Sequence, residues 1–225
     1  MSEKAEKETV GKKLNSFIER HRKSIIITVI VIVVLLVLFI VGYLVANSNK
    51  EKNLAKIDTI TFTLVDGSKG LADSELDARR DTAIADLQEL VSKGGIVGAR
   101  ANMLCAELSY QLNKVEDAVN YWKATAEKSK KSYIQPIANY NLGVCYENLG
   151  NKEEASNYYK LAADDEDFVL GTHARFSYGR SLESLGNYTE AVEVYKALND
   201  KDPSDSWAKL AKSRIIELQI EGKAE

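Results

Sequence analysis

Residues that interrupt helices or cross-link chains are nearly missing from this sequence: of 225 residues, two are proline, two cysteine and two histidine. With only Pro136 and Pro203 to break it, and no stretch of alternating apolar and polar side chains, the polypeptide has little reason to form strands. Helix is open to it almost throughout. His21 and His173 stand far apart, so they cannot join Cys105 and Cys145 at the spacing a metal site needs. A Gly-x-Ser-x-Gly elbow, a phosphate-binding loop and a His-Glu-x-x-His pair are all missing. The glycine-rich stretch from Gly94 to Gly98 has no Lys-Ser or Lys-Thr after it and reads as a helix breaker. The acidic run from Asp164 to Asp167 lacks the alternation of a calcium loop and reads as a solvated turn. The expectation is a protein that is not an enzyme and uses no metal, cofactor or small-molecule substrate.

Charge is missing from one place in particular. Residues 25–46 form an apolar run of 22 without a single ionisable acid or base, mostly Ile, Val and Leu. At about 1.5 Å per residue such a helix reaches ~33 Å, enough for a hydrocarbon core of about 30 Å. A transmembrane helix is the reading this supports. A cleaved signal peptide has a shorter apolar core, and a core helix of a soluble protein carries a polar face that this run lacks. The 15 residues before the run hold five Lys or Arg and the 15 after it hold three, a bias that keeps the amino terminus in the cytoplasm. Upstream, Val10, Leu14, Phe17 and Ile18 share one helical face, the pattern of an interfacial amphipathic helix, although a disordered tail has the same composition. Beyond residue 46 the chain holds 23 Lys and Arg against 29 Asp and Glu, a net −6 that argues against nucleic acid as a partner.

What fills the remainder is repetition. Setting Leu142-Gly143 over Tyr178-Gly179 brings Leu149-Gly150 over Leu185-Gly186, Ala155 over Ala191 and Tyr159 over Tyr195, a constant offset of 36 residues. A step of 37 residues back places Ala106, Asn113, Ala118 and Trp122 in the same slots. Small residues at Ala106, Gly143 and Gly179 let the first helix of a pair approach the second, which answers with Ala118, Ala155 and Ala191. Trp122, Tyr159 and Tyr195 are expected to fill the groove between successive pairs, and Asn113, Gly150 and Gly186 to end the first helices in a left-handed turn. A weaker pair precedes these, with Ala83, Leu87 and Leu90 on its second helix and residues 52–64 as its first. From Trp207 to Leu218 one more amphipathic helix has no partner after it, as a terminal cap requires. By this register Cys105 and Cys145 fall in packed surroundings, and pairing between them is not expected.

This spacing resembles the tetratricopeptide repeat. The layout divides into residues 1–24, a basic cytoplasmic tail; 25–46, a transmembrane helix; 47–98, a membrane-proximal helix and degenerate first repeat; 99–203, three repeats; and 204–225, a capping helix and tail. The expected fold is therefore all-α, a single amino-terminal span followed by a superhelix of helical hairpins. As a whole the layout is similar to the YfgM type of bacterial inner-membrane protein, the ancillary subunit of the SecYEG translocon. That likeness implies a periplasmic repeat domain that meets translocon subunits or secretory clients.

Binding is the function left open. The first helices of such a stack line its concave side, and the register puts Arg100, Met103, Leu104, Glu107 and Tyr110 there from one pair, Tyr140, Asn141, Val144, Glu147 and Asn148 from the next, and His173, Phe176, Arg180 and Glu183 from the last. Aromatics mixed with scattered charge suit an extended peptide or a partner helix, although the same aromatics would also pack well against neighbouring helices. Arg100, Asn141 and Arg180 do not reproduce the basic carboxylate clamp of chaperone-tail receptors with this fold. Three classes of role fit: a periplasmic adaptor near the translocon or chaperones, a scaffold for division, wall or outer-membrane assembly, or an amino-terminally anchored organelle receptor with cytosolic repeats.

Overall fold

The computed structural model describes residues 2–224, with side chains from Lys12 onward. Nine α-helices and no strand occur among the described residues: α1 (Ser2–Val65), α2 (Asp73–Val91), α3 (Gly95–Gln111), α4 (Val115–Lys128), α5 (Ile134–Asn148), α6 (Lys152–Ala163), α7 (Gly171–Ser184), α8 (Tyr188–Lys201) and α9 (Ser206–Ile220). The chain divides into two compact units between Lys52 and Asn53.

Among its described residues the first unit is helix without a core. No break separates the basic tail from the apolar run, because neither proline nor a turn-forming cluster occurs there and the lone Gly42 costs a helix only about 1 kcal/mol. From Ile25 to Val45 every large apolar side chain is exposed, by between 37 and 73%. Leu14, Phe17 and Ile18 are exposed as well; Val10, the fourth residue of that face, lies outside the described side chains.

In the second unit, the end of α1 from Asn53 packs with α2. Ile57 and Ile60 are buried with Ala83, Leu87 and Leu90 of α2 and with Val97, Ala101 and Cys105 of α3. Arg79 closes that end of α1 by donating to the carbonyls of Asp66 at 2.7 Å and Thr63 at 3.3 Å. Each later hairpin then repeats one turn. Asn113, Gly150 and Gly186 adopt φ of 58°, 77° and 81°, and the amide after each reaches back to the carbonyls of Ser109, Tyr146 and Leu182, all at 2.9 Å. Only a residue that tolerates the left-handed region can close a helix in this way, which is why Asn or Gly stands at all three places.

Successive helices pack in chain order from α2 to α9, and first helices also touch across pairs, α3 with α5 and α7 with α9. Ala106, Ala118, Ala155 and Ala191 are all buried where paired helices meet. Trp207, Ala208, Ala211, Ile215 and Leu218 of α9 close over the last hairpin, and the Asp205 carboxylate starts α9 by accepting from the Trp207 amide at 2.7 Å.

Candidate functional site

Of the three aromatic residues that recur along the stack, Trp122 packs with Ala138, Leu142 and Cys145 of the next hairpin as the repeat pattern predicts, and the two tyrosines do not. Tyr159 and Tyr195 are expected between successive hairpins; instead each ring closes over the glycine of its own hairpin, Tyr159 on Gly143 and Tyr195 on Gly179. The bare backbone leaves room for a ring and not for a further methyl. Their hydroxyls then emerge at the first-helix side, where Tyr159 donates to Glu147 at 2.7 Å and Tyr195 donates to Glu183. Burial first, and then the neighbouring carboxylate, raise both phenols well above their ordinary range. They stay protonated donors.

An arginine from the following element completes each set. Arg180 of α7 pairs with Glu147 of α5 at 2.8 Å, and Arg214 of α9 clasps Glu183 of α7. Tyr–Glu–Arg bridges thus tie three successive first helices together along one side. The hydrogen bond to Glu183 holds the Arg214 guanidinium firmly charged.

This arrangement uses up most of the expected groove residues. Phe176 is buried, with its ring near those of Tyr195 and Trp207, and so belongs to the core rather than to a binding surface. A buried face was invisible in the register because α9 brings Trp207 across it. His173 stacks on Trp207, ring centres 3.8 Å apart, and lies 3.0 Å from the Tyr140 hydroxyl. Burial, and secondarily Arg180, lower its pKa. Tyr140 itself is half-buried beside Tyr159 and Phe168, and burial raises its phenol. Arg100 is paired with Asp58 of α1 at 2.7 Å. Asn141 is half-buried and donates to Ile137 O at 2.9 Å. Tyr110, Glu147, Asn148 and Arg180 remain exposed, and of these Glu147 and Arg180 already hold each other. Cys105 and Cys145 are buried free thiols, pushed up by burial to about 12 and about 11.

Some contributors carried no signal in the repeat pattern. Asn102 is buried and donates to Val91 O at 2.8 Å, so it closes the end of α2 from within α3. Arg175 does the same for α6 through Ala163 O at 2.9 Å. Asp58 and Arg214 could have been suspected only from their charges, whereas Glu183, 36 residues after Glu147, stood among the residues that the register put on the concave side.

The tetratricopeptide repeat family matches residues 106–168 and 163–206. A curated "TPR repeat-containing protein" of Treponema pallidum (strain Nichols) is 26% identical over 157 residues, which cover 68% of this chain and 66% of that protein. Among solved structures, a Podosopora anserina protein described as a putative kinesin light chain with nearly identical TPR-like repeats aligns with a TM-score of 0.58 at 12% identity, over 76% of this chain and 88% of that one. A single-residue variant of that protein aligns with the same TM-score over 87% of its length. At that identity the likeness speaks to fold alone. From Ala106 to Ser206 the chain is built of tetratricopeptide repeats.

Proposed function

We propose that this protein is a membrane-anchored adaptor whose first-helix groove binds other polypeptides. The observation that carries the reading is the pairing of two features within one chain: an apolar stretch, 25–46, whose side chains have no partner, and a repeat stack that presents exposed Tyr110, Glu107 and Asn148 along one side. Leaving so many Ile, Val and Leu side chains in water would cost several kcal/mol, which a bilayer removes. The flanking lysines and arginines support an amino terminus in the cytoplasm and a repeat domain on the outer face of a bacterial inner membrane. A relative from the bacterium Treponema pallidum fits that setting. The partners are translocon subunits or secretory clients, as the layout shared with the YfgM type suggests.

A reporter enzyme active only outside the cytoplasm, joined after Glu225, tests the orientation. Activity is expected, and activity from a cytosolic reporter alone would reverse the assignment. Photo-crosslinkers at Tyr110 and Asn148, both exposed, test the partners. Adducts with translocon subunits or nascent secretory chains are expected; adducts confined to other envelope proteins would put a scaffold in place of the adaptor.

A further inference from the structure

Between α3 and α5 the Tyr–Glu–Arg bridge is absent, and a cavity stands in its place. Counting back by the repeat offsets, the three bridge positions between α3 and α5 hold Trp122, Tyr110 and Val144. No ion pair can form among these. Instead Trp122, Tyr110, Val144 and Cys145 line a cavity of about 150 Å³, with Glu107, Gln111 and Asn141 as its polar lining. A cavity of that order holds a benzene-sized group. Trp122 is only 2% exposed, so its ring forms a fixed wall, and Tyr110 stands at the mouth.

Charge selects among possible occupants. Arg100, Glu147, Arg180 and Glu183 each have an ion-pair partner, whereas Glu107 has none among the described residues. Although Glu107 is exposed, the groups crowded against it at the cavity edge desolvate its carboxyl and raise it, a penalty that a cation brought by a ligand would relieve. The part of the chain after residue 46 is acidic overall, with 29 Asp and Glu against 23 Lys and Arg. Asn141 spends one amide hydrogen on Ile137 O and keeps a carbonyl oxygen that can accept from a peptide N–H.

We propose that the cavity between α3 and α5 is the specificity pocket of the groove, taking one large apolar side chain, of the Leu, Met or Phe class, from an extended peptide whose neighbouring Lys or Arg pairs with Glu107. This rests on the reading of the groove as a polypeptide-binding surface and names what that surface selects. The α5–α7 and α7–α9 junctions cannot act alike, because their own tyrosine, glutamate and arginine occupy the space.

Selection of a random displayed peptide library on the full chain in detergent micelles tests it. The parent is expected to enrich peptides with a large apolar residue next to Lys or Arg. Val144→Phe, which fills the cavity, is expected to lower that apolar preference about tenfold or more, the worth of one buried hydrocarbon group. Glu107→Gln is expected to lose the basic preference and keep the apolar one. If Val144→Phe melts early, the combined exchange Ala106→Gly, Tyr110→Glu, Trp122→Tyr and Val144→Arg rebuilds the bridge of the other junctions, with the glycine that its tyrosine ring requires, and closes the pocket in a way the fold already accepts. Peptides enriched equally by parent and filled variant would overturn the pocket while leaving the groove reading intact. Enrichment of none by either protein would overturn both.

Discussion

A methyl group built on Gly143 would stand 2.6 Å from the ring of Tyr159. The pair is a single packing unit in which an absent side chain makes space for a large one, and the same unit recurs at Gly179 with Tyr195. Neither ring can swing away, since Tyr159 and Tyr195 are buried and their hydroxyls are held by Glu147 and Glu183. Gly143→Leu is therefore expected to lower stability by about 1 to 3 kcal/mol, the usual cost of overpacking. Ala191→Leu, at a fully buried helix contact, is expected to do the same. Thermal melts of the full chain would show both losses; two parental curves would mean that the hairpins are not packed this way.

The two bridges differ in burial, and so should their worth. Glu183 has a side chain only 8% exposed, against 44% for Glu147. Glu183→Ala strands the Tyr195 hydroxyl and the Arg214 guanidinium and is expected to cost about 2 to 3 kcal/mol, below the full range for a buried pair because Arg214 keeps some contact with water. Glu147→Ala, in a surface pair, is expected to cost about 1 kcal/mol or less. Hydrogen exchange should quicken over α9 in the first variant alone.

His173 makes stability depend on pH in one direction. Its folded-state pKa is lowered by burial and then by the charge of Arg180, while Tyr140 and Trp207 flank the ring. The unfolded chain takes up the proton first, so the contribution of this residue is complete above the ordinary value of about 6.5 and is lost as the pH falls below it. Between about pH 7.5 and about pH 5.5 the full chain is expected to lose more in Tm than His173→Phe does, the phenyl ring keeping the stack on Trp207. Identical pH slopes in parent and variant would remove His173 from the account.

Cys105 and Cys145 are expected to be silent in the folded protein. With both thiols buried and raised to about 12 and about 11, almost no thiolate exists at neutral pH. A thiol-specific reagent should label neither in native full chain and both in denaturant. Rapid native labelling of either would show that its helix opens.

Much of the architecture was legible because it depends on short-range chemistry. The turns at Asn113, Gly150 and Gly186, the small residues at Ala106, Gly143 and Gly179, and the unpartnered final helix are each dictated by which side chains a given backbone conformation or close approach will accept. These requirements recur at a fixed offset, so one copy helps to identify the next. The buried face of α2 was legible too, through Ala83, Leu87 and Leu90. The direction of the aromatic rings was not: a helical offset says that Tyr159 shares a face with Ala155, but not that its ring bends back over Gly143.

The groove was the least legible part, for a related reason. Register assigns a residue to a face, whereas availability depends on what the next helix brings to that face. By itself the sequence determined an apolar stretch fit to cross a bilayer, an all-helical repeat, the turn positions and the absence of catalytic motifs, because composition and local backbone preference suffice for those. Only the tertiary structure decided that Phe176 is core, that Arg100 and Arg180 are already engaged by Asp58 and Glu147, and that a cavity replaces a bridge between α3 and α5. Each of those outcomes depends on side chains 12 or more positions apart meeting in space, and burial and pairing belong to the pair rather than to either residue.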